Sequence, residues 1–147
     1  MKKIMMILVM ALTVSTAFAF TGEDAVNKQA LEAFKSEFTG ATDVNWTVGS
    51  NYYKVAFTMS GQKLFAFYNS QGDFIAATRY ISSLQLPLNL QTELKNSYSN
   101  YWVSDLFEVA GNDDTTYYIT MENADTKIVL KSNDGKEWSL YHKNKKA

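Results

Sequence analysis

Very few residues in this chain are equipped for covalent chemistry. There is one histidine, His142, close to the C-terminal end, and there is no cysteine. A nucleophilic serine needs a base within hydrogen-bond reach, and His142 beside the basic run 143–146 reads as a solvated tail residue instead. No G-x-S-x-G elbow, Walker loop, H-E-x-x-H or dinucleotide fingerprint occurs. Zinc requires several His or Cys ligands. Asp113-Asp114 and Asn133-Asp134-Gly135 are oxygen-rich, but neither has the spacing of a calcium loop, and Asn, Asp and Gly are what tight turns require. Among 15 acids a carboxylate pair for glycoside hydrolysis is conceivable, yet nothing singles out two of them. No catalytic residue, cofactor or metal is expected.

Function must therefore lie in surfaces, and the elements that carry them can be read in order. Residues 1–19 read as a signal peptide: Lys2 and Lys3, an apolar run from Ile4 to Val14, then Ala17-Phe18-Ala19 with small residues where a signal peptidase cuts. The run is roughly 11 residues, whereas a membrane span needs about 20. No cysteine near the cut could be acylated, and no later segment is long and apolar enough to span a membrane. The expected product, 20–147, is exported, periplasmic or secreted. Removing Lys2 and Lys3 from 14 basic residues leaves 12 against 15 acids. A net charge near −3 argues against nucleic acid or an anionic membrane as partner. With no disulfide available, stability must come from a core, which the aromatics can supply.

Thr21-Gly-Glu-Asp24 has the chemistry of a helix start. Val26, Ala30, Phe34 and Phe38 recur at steps of four with Leu31, and Thr39-Gly40 stops the helix. Strands follow at about 44–48, 52–59, 62–69 and 73–81, with Ser60-Gly61 and Ser70-Gln71-Gly72 as turns. Leu86-Pro87 opens a second helix striped by Leu90, Leu94 and Tyr98. Strands then recur at about 103–109, 116–122, 126–131 and 136–142. Tyr53-x-Val55-x-Phe57 aligns with Tyr117-x-Ile119-x-Met121, each followed by a glycine turn at Gly72 or Gly135. The order predicts an α+β fold: two tandem units, each a helix packed on a four-stranded antiparallel sheet. Repeats at about 22–82 and 83–143 form a single compact domain, since each alone would be marginal.

Trp46, Tyr53-x-Val55-x-Phe57, the Ser-Gly turn, Phe67-Tyr68-x-x-x-Gly72, Leu86-Pro87, Tyr98 and Tyr117-Tyr118-x-x-x-Glu122 with Asn-Asp-Gly135 form an ordered set. Taken together, and over nearly all of the chain after residue 19, they resemble the PepSY-like, beta-lactamase-inhibitor-like family of small exported bacterial proteins. The resemblance implies tandem α-β units and, for most members, no assigned activity. The paired cysteines of the inhibitor have no counterpart here.

Alternation sorts each strand into two faces. In the second unit, Tyr117, Ile119, Met121, Ile128, Leu130, Trp138 and Leu140 share one face. The other, with Tyr118, Thr120, Val129, Lys131, Glu137, Ser139 and Tyr141, is expected to be largely polar. In the first unit both faces are apolar. The face away from the helix carries Tyr52, Lys54, Phe65, Phe67, Ile75 and Arg79, the chain's one arginine. Aromatics beside a cation are the composition of interface anchors, so these six form the candidate protein-binding face. The expected function is a non-enzymatic binding or inhibitory module of the bacterial envelope. The alternative is a self-associating structural protein whose self-dimer covers this face; an enzyme is third.

The processing expectation is direct. Intact mass of the exported protein should place its N-terminus at Phe20, and a full-length species extracted from membranes would overturn it.

Overall fold

The computed structural model describes residues 20–147, with the side chains of Phe20 and Thr21 left aside. The expected signal segment, 1–19, lies outside the described residues. A two-residue strand β1 (Phe20–Thr21) precedes the first helix, α1 (Lys28–Glu37). Four strands follow: β2 (Thr42–Val48), β3 (Tyr52–Met59), β4 (Gln62–Asn69) and β5 (Phe74–Tyr80). The second helix is α2 (Leu88–Ser97). Then come β6 (Trp102–Ala110), β7 (Thr115–Glu122), β8 (Thr126–Ser132) and β9 (Ser139–Lys145).

All nine strands belong to one antiparallel sheet, hydrogen-bonded in the order of the sequence. This corrects the expected pair of tandem units, each a helix on its own four-stranded sheet. β5 pairs antiparallel with β6, matching Ala77 to Ala110 and Tyr80 to Phe107, so the ladder runs on through the fifth and sixth strands. A sheet that stopped after β5 would leave a row of backbone donors and acceptors unpaired. Packing nevertheless divides the described residues inside β5 into two compact units, which part between Ile75 and Ala76.

In the first unit, α1 buries Ala30 and Phe34 against Trp46, Val55, Phe57, Ala66 and Tyr68. Phe34 meets Trp46 edge-on at 5.5 Å and Phe57 at 5.0 Å, the geometry that aromatic quadrupoles favour. The helix does not start at Thr21. Glu23–Ala25 forms a separate 3-10 turn, and Asn27 is the cap, its side chain accepting from the Ala30 N–H at 2.8 Å. Asn27 wins because its amide also donates to the Ser70 carbonyl at 3.1 Å, tying the helix to the β4–β5 turn. Gln29 adds a bond to Asp73 at 2.7 Å, and Asn69 organises the turn by accepting from the Gln71 and Asp73 N–H groups. The β3–β4 hairpin closes on Ser60-Gly61 as expected, with positive φ at both residues and Met59 opposite Gln62.

In the second unit, Leu86, Leu90, Leu106, Ile119, Met121, Ile128, Leu130 and Trp138 form the core with Ile81. β9 begins three residues later than expected, because Lys136–Trp138 leaves the ladder to send Trp138 onto α2. Its indole donates to the Leu90 carbonyl at 3.1 Å and its backbone N–H to Glu93 at 2.9 Å. Every residue of β9 is exposed. No helix among the described residues is long and apolar enough to cross a membrane.

Gly72 generates a prediction. Its φ is +97°, and a Cβ there would lie 2.6 Å from Asn27 Oδ1 and 2.7 Å from the Ala30 backbone nitrogen. Gly72→Ala should cost about 2–4 kcal/mol, combining left-handed strain with displacement of the helix start. Denaturant melts measure it; a shift below about 0.5 kcal/mol would mean that the helix and turn part easily.

Candidate functional site

The β3–β4 pair aligns Lys54 with Phe67, Ala56 with Phe65, and Tyr52 with Asn69. Four of the six candidate residues are thereby brought together. The Lys54 ammonium stands 4.6 Å from the centre of the Phe65 ring and 5.8 Å from that of Phe67. Tyr52 and Phe67 rings are 6.3 Å apart, and the Lys63 ammonium lies 5.6 Å from the centre of the Phe65 ring. Partial burial holds the Lys54 pKa below its ordinary value, and the nearby Lys63 charge pushes it the same way. The cation–π contacts offset part of that cost, at about 0.5–1 kcal/mol each. Phe67 is 1% exposed, whereas Tyr52, Lys54 and Phe65 are half-buried. Phe67 is thus the floor of the cluster, and the other three form its accessible rim.

Ile75, also half-buried, closes the first unit at its last residue. Arg79 belongs to the second unit, where its guanidinium donates to Glu108 from Nε at 2.9 Å and from a terminal nitrogen at 3.4 Å. Cross-strand register places Glu108 beside Tyr117, and Tyr117 packs against the Leu90 core. The arginine therefore lies on the helix-covered side of its own unit.

The second unit also departs from expectation. Its other face, read as largely polar, carries a row of rings. Tyr80 meets Phe107 edge-on at 6.3 Å, Phe107 stacks on Tyr118 at 5.2 Å and 17°, and Tyr141 closes on Tyr118 at 5.6 Å. Lys131 sits 5.5 Å from the Tyr118 ring. Tyr118 and Phe107 are buried beneath their neighbours. The available signal was the β6 alternation Asp105, Phe107, Val109, which places Phe107 in this row once β6 is paired with β7.

The grooves are shallow. One of about 360 Å³ lies at the C-terminal end of α1, lined by Phe34, Phe38, Val44 and Trp46 with the Glu23–Lys35 ion pair. Among the described residues no three of His, Cys, Asp and Glu stand close enough to share a metal ion. The geometry presents contact surfaces with aromatic floors and ammonium rims.

No family model matches the chain, and no curated protein matches it. Solved structures do. A DUF2874 family protein from Bacteroides ovatus is 19% identical with a TM-score of 0.72, over 83% of this chain and 89% of its own. A BLIP-like protein from Bacteroides fragilis is 20% identical with a TM-score of 0.69, over 82% and 86%. A predicted periplasmic protein from Bacteroides eggerthii is 13% identical with a TM-score of 0.69, over 82% and 88%. At these identities the likeness is one of fold. The inhibitor-like part of the expected resemblance is met at that level, and none of these likenesses bears on the PepSY part.

Burial yields a pH prediction. The Tyr118 hydroxyl is pushed up to about 12, first by burial and then by Tyr141 and Asp114. A group whose folded pKa exceeds its unfolded value near 10 stabilises the fold below pH 10. That contribution is lost as pH rises from about 10 towards 12, on the order of 2 kcal/mol. Denaturant melts across that window should fall more steeply for the native protein than for Tyr118→Phe. Parallel curves would assign the alkaline loss to other groups.

Proposed function

We propose that the protein is an exported, non-enzymatic binding or inhibitory module of the bacterial cell envelope. It meets a protein partner through the outer face of β3 and β4, where Tyr52, Lys54, Phe65 and Phe67, with Ile75 on β5, supply the contact. The observation that carries this reading is the Lys54 ammonium held over two phenylalanine rings on a half-buried surface. A ring floor with a partly dehydrated cation at its rim is pre-organised for a partner, because little side-chain freedom remains to be lost on docking. A solvated lysine with no such task would point into water.

The fold likeness to a BLIP-like protein and to a predicted periplasmic protein supports an envelope binding role. The basic, apolar and small-residue succession of 1–19 supports export. The absence of a cysteine or an accompanied histidine in the sequence supports a role without covalent chemistry.

The test uses the exported protein immobilised against an envelope extract, with Lys54→Glu and Phe65→Ser beside the native chain. Both residues are half-buried, so stability should change by about 1 kcal/mol or less, while affinity for the captured partner should fall about tenfold or more. Phe67→Ser is the contrasting control: the buried ring should cost about 3–5 kcal/mol of stability. Capture that is indifferent to Lys54→Glu and Phe65→Ser would remove the face from the interaction.

A further inference from the structure

Two ammonium groups share one ring on the outer face of β3 and β4. Lys54 lies 4.6 Å and Lys63 5.6 Å from the centre of the Phe65 ring. Among the described residues neither ammonium forms an ion pair or donates to a protein oxygen. Each carries three N–H donors, and Lys54 is half-buried, so water reaches it only in part. Strand register brings no carboxylate to them. Lys54 stands opposite Thr47 on β2 and Phe67 on β4, and Lys63 stands opposite Thr58 on β3.

The second unit holds a completed version of the same arrangement. Lys146 lies 4.8 Å from the centre of the Trp102 ring and also pairs with Glu122 at 2.8 Å. Lys127 reaches the same carboxylate at 3.5 Å. One ring, two ammonium groups and one carboxylate satisfy each other there. On β3 and β4 the ring and the two ammonium groups are in place, and the carboxylate is missing.

We propose that the partner of this face is a protein segment presenting an acidic side chain beside an apolar one. Its carboxylate sits between Lys54 and Lys63, and the apolar neighbour packs on Phe65 and Tyr52. The acidic partner presupposes that the β3–β4 face is the binding surface. With Lys54 already partly dehydrated, a carboxylate there is held more strongly than by a lysine in open water. The chain's net charge of −1 at pH 7 gives no general attraction for acids, so the selectivity is local. Two ammonium groups also fall short of the roughly four to eight basic residues that recognise an anionic lipid surface.

A random peptide library displayed on a carrier protein, selected on the exported protein, tests it. Recovered peptides should be enriched in Asp and Glu next to Leu or Phe. Lys54→Gln and Lys63→Gln should each weaken their binding about tenfold or more. Replacing the peptide's acid by its amide should do the same on the native protein. On the double variant, Lys54→Gln with Lys63→Gln, the amide replacement should matter about threefold or less, the coupling expected of a direct contact. Thermal melts are the folding control, and Lys63, being exposed, keeps the comparison valid if Lys54→Gln folds poorly. Peptides that need Phe65 but ignore both lysines and their own acid overturn the acidic partner and leave the binding face standing. A selection in which no peptide is weakened by Phe65→Ser overturns the face and the acidic partner together. Sedimentation with phosphatidylserine vesicles that requires Lys54 and Lys63 would assign the ammonium groups to lipid and also overturn it.

Discussion

The first unit depends on the seating of a helix start against a strand-connecting turn. Asn27 serves two masters there, capping α1 through its oxygen and holding the β4–β5 turn through its amide. The seat exists only because Gly72 has no side chain. Once α1 is fixed at that point, its step-of-four stripe has one place to go, and Phe34 reaches Trp46 and Phe57. The second unit solves the same problem with different chemistry. There Trp138 reaches back to the carbonyl of Leu90 and its backbone to Glu93, and Gly135 leaves room for Pro87 at 3.2 Å from where a Cβ would stand. A helix of only ten residues has little stability of its own, so these attachments decide where each core forms.

Much of this was legible because it is local. The Ser60-Gly61 hairpin follows from a two-residue turn that demands positive φ, and the α1 stripe follows from helical period. What was misread is non-local. Thr21-Gly-Glu-Asp24 has good capping chemistry, but Asn27 has a tertiary partner 43 positions away, and no window around residue 27 contains that fact. The joining of β5 to β6 is hidden for the same reason: a helix separates them in sequence, and backbone hydrogen bonds leave no mark on side-chain identity.

The faces show a subtler failure. Lys54, Phe65 and Phe67 could be brought together from alternation and hairpin register alone, because a short turn fixes the register. Arg79 could not be assigned, since its face follows from pairing with Glu108 on a strand 29 positions later. The aromatic row of the second unit is masked in the sequence because Lys131, opposite Tyr118, and Ser139, opposite Lys131, read as wet. Lysine is long enough to lay its stem across a ring while its ammonium stays hydrated, so a strand face that alternates Lys with Tyr can be dry at its base.

The fully exposed last strand has a consequence for the open sheet as a material. β9 pairs with β8 on one side and among the described residues ends the sheet on the other, so its outer rail of peptide groups offers a template for further strands, the geometry from which fibrils grow. Leu140 and Tyr141, both exposed, would favour such growth. Lys143 and Lys145 on that strand oppose it, since stacking copies of that edge in register would bring ammonium groups within a few ångströms of one another. Lys146 lies past the strand and is paired with Glu122 at 2.8 Å. The exposed lysines of β9 then act against the addition of a further strand.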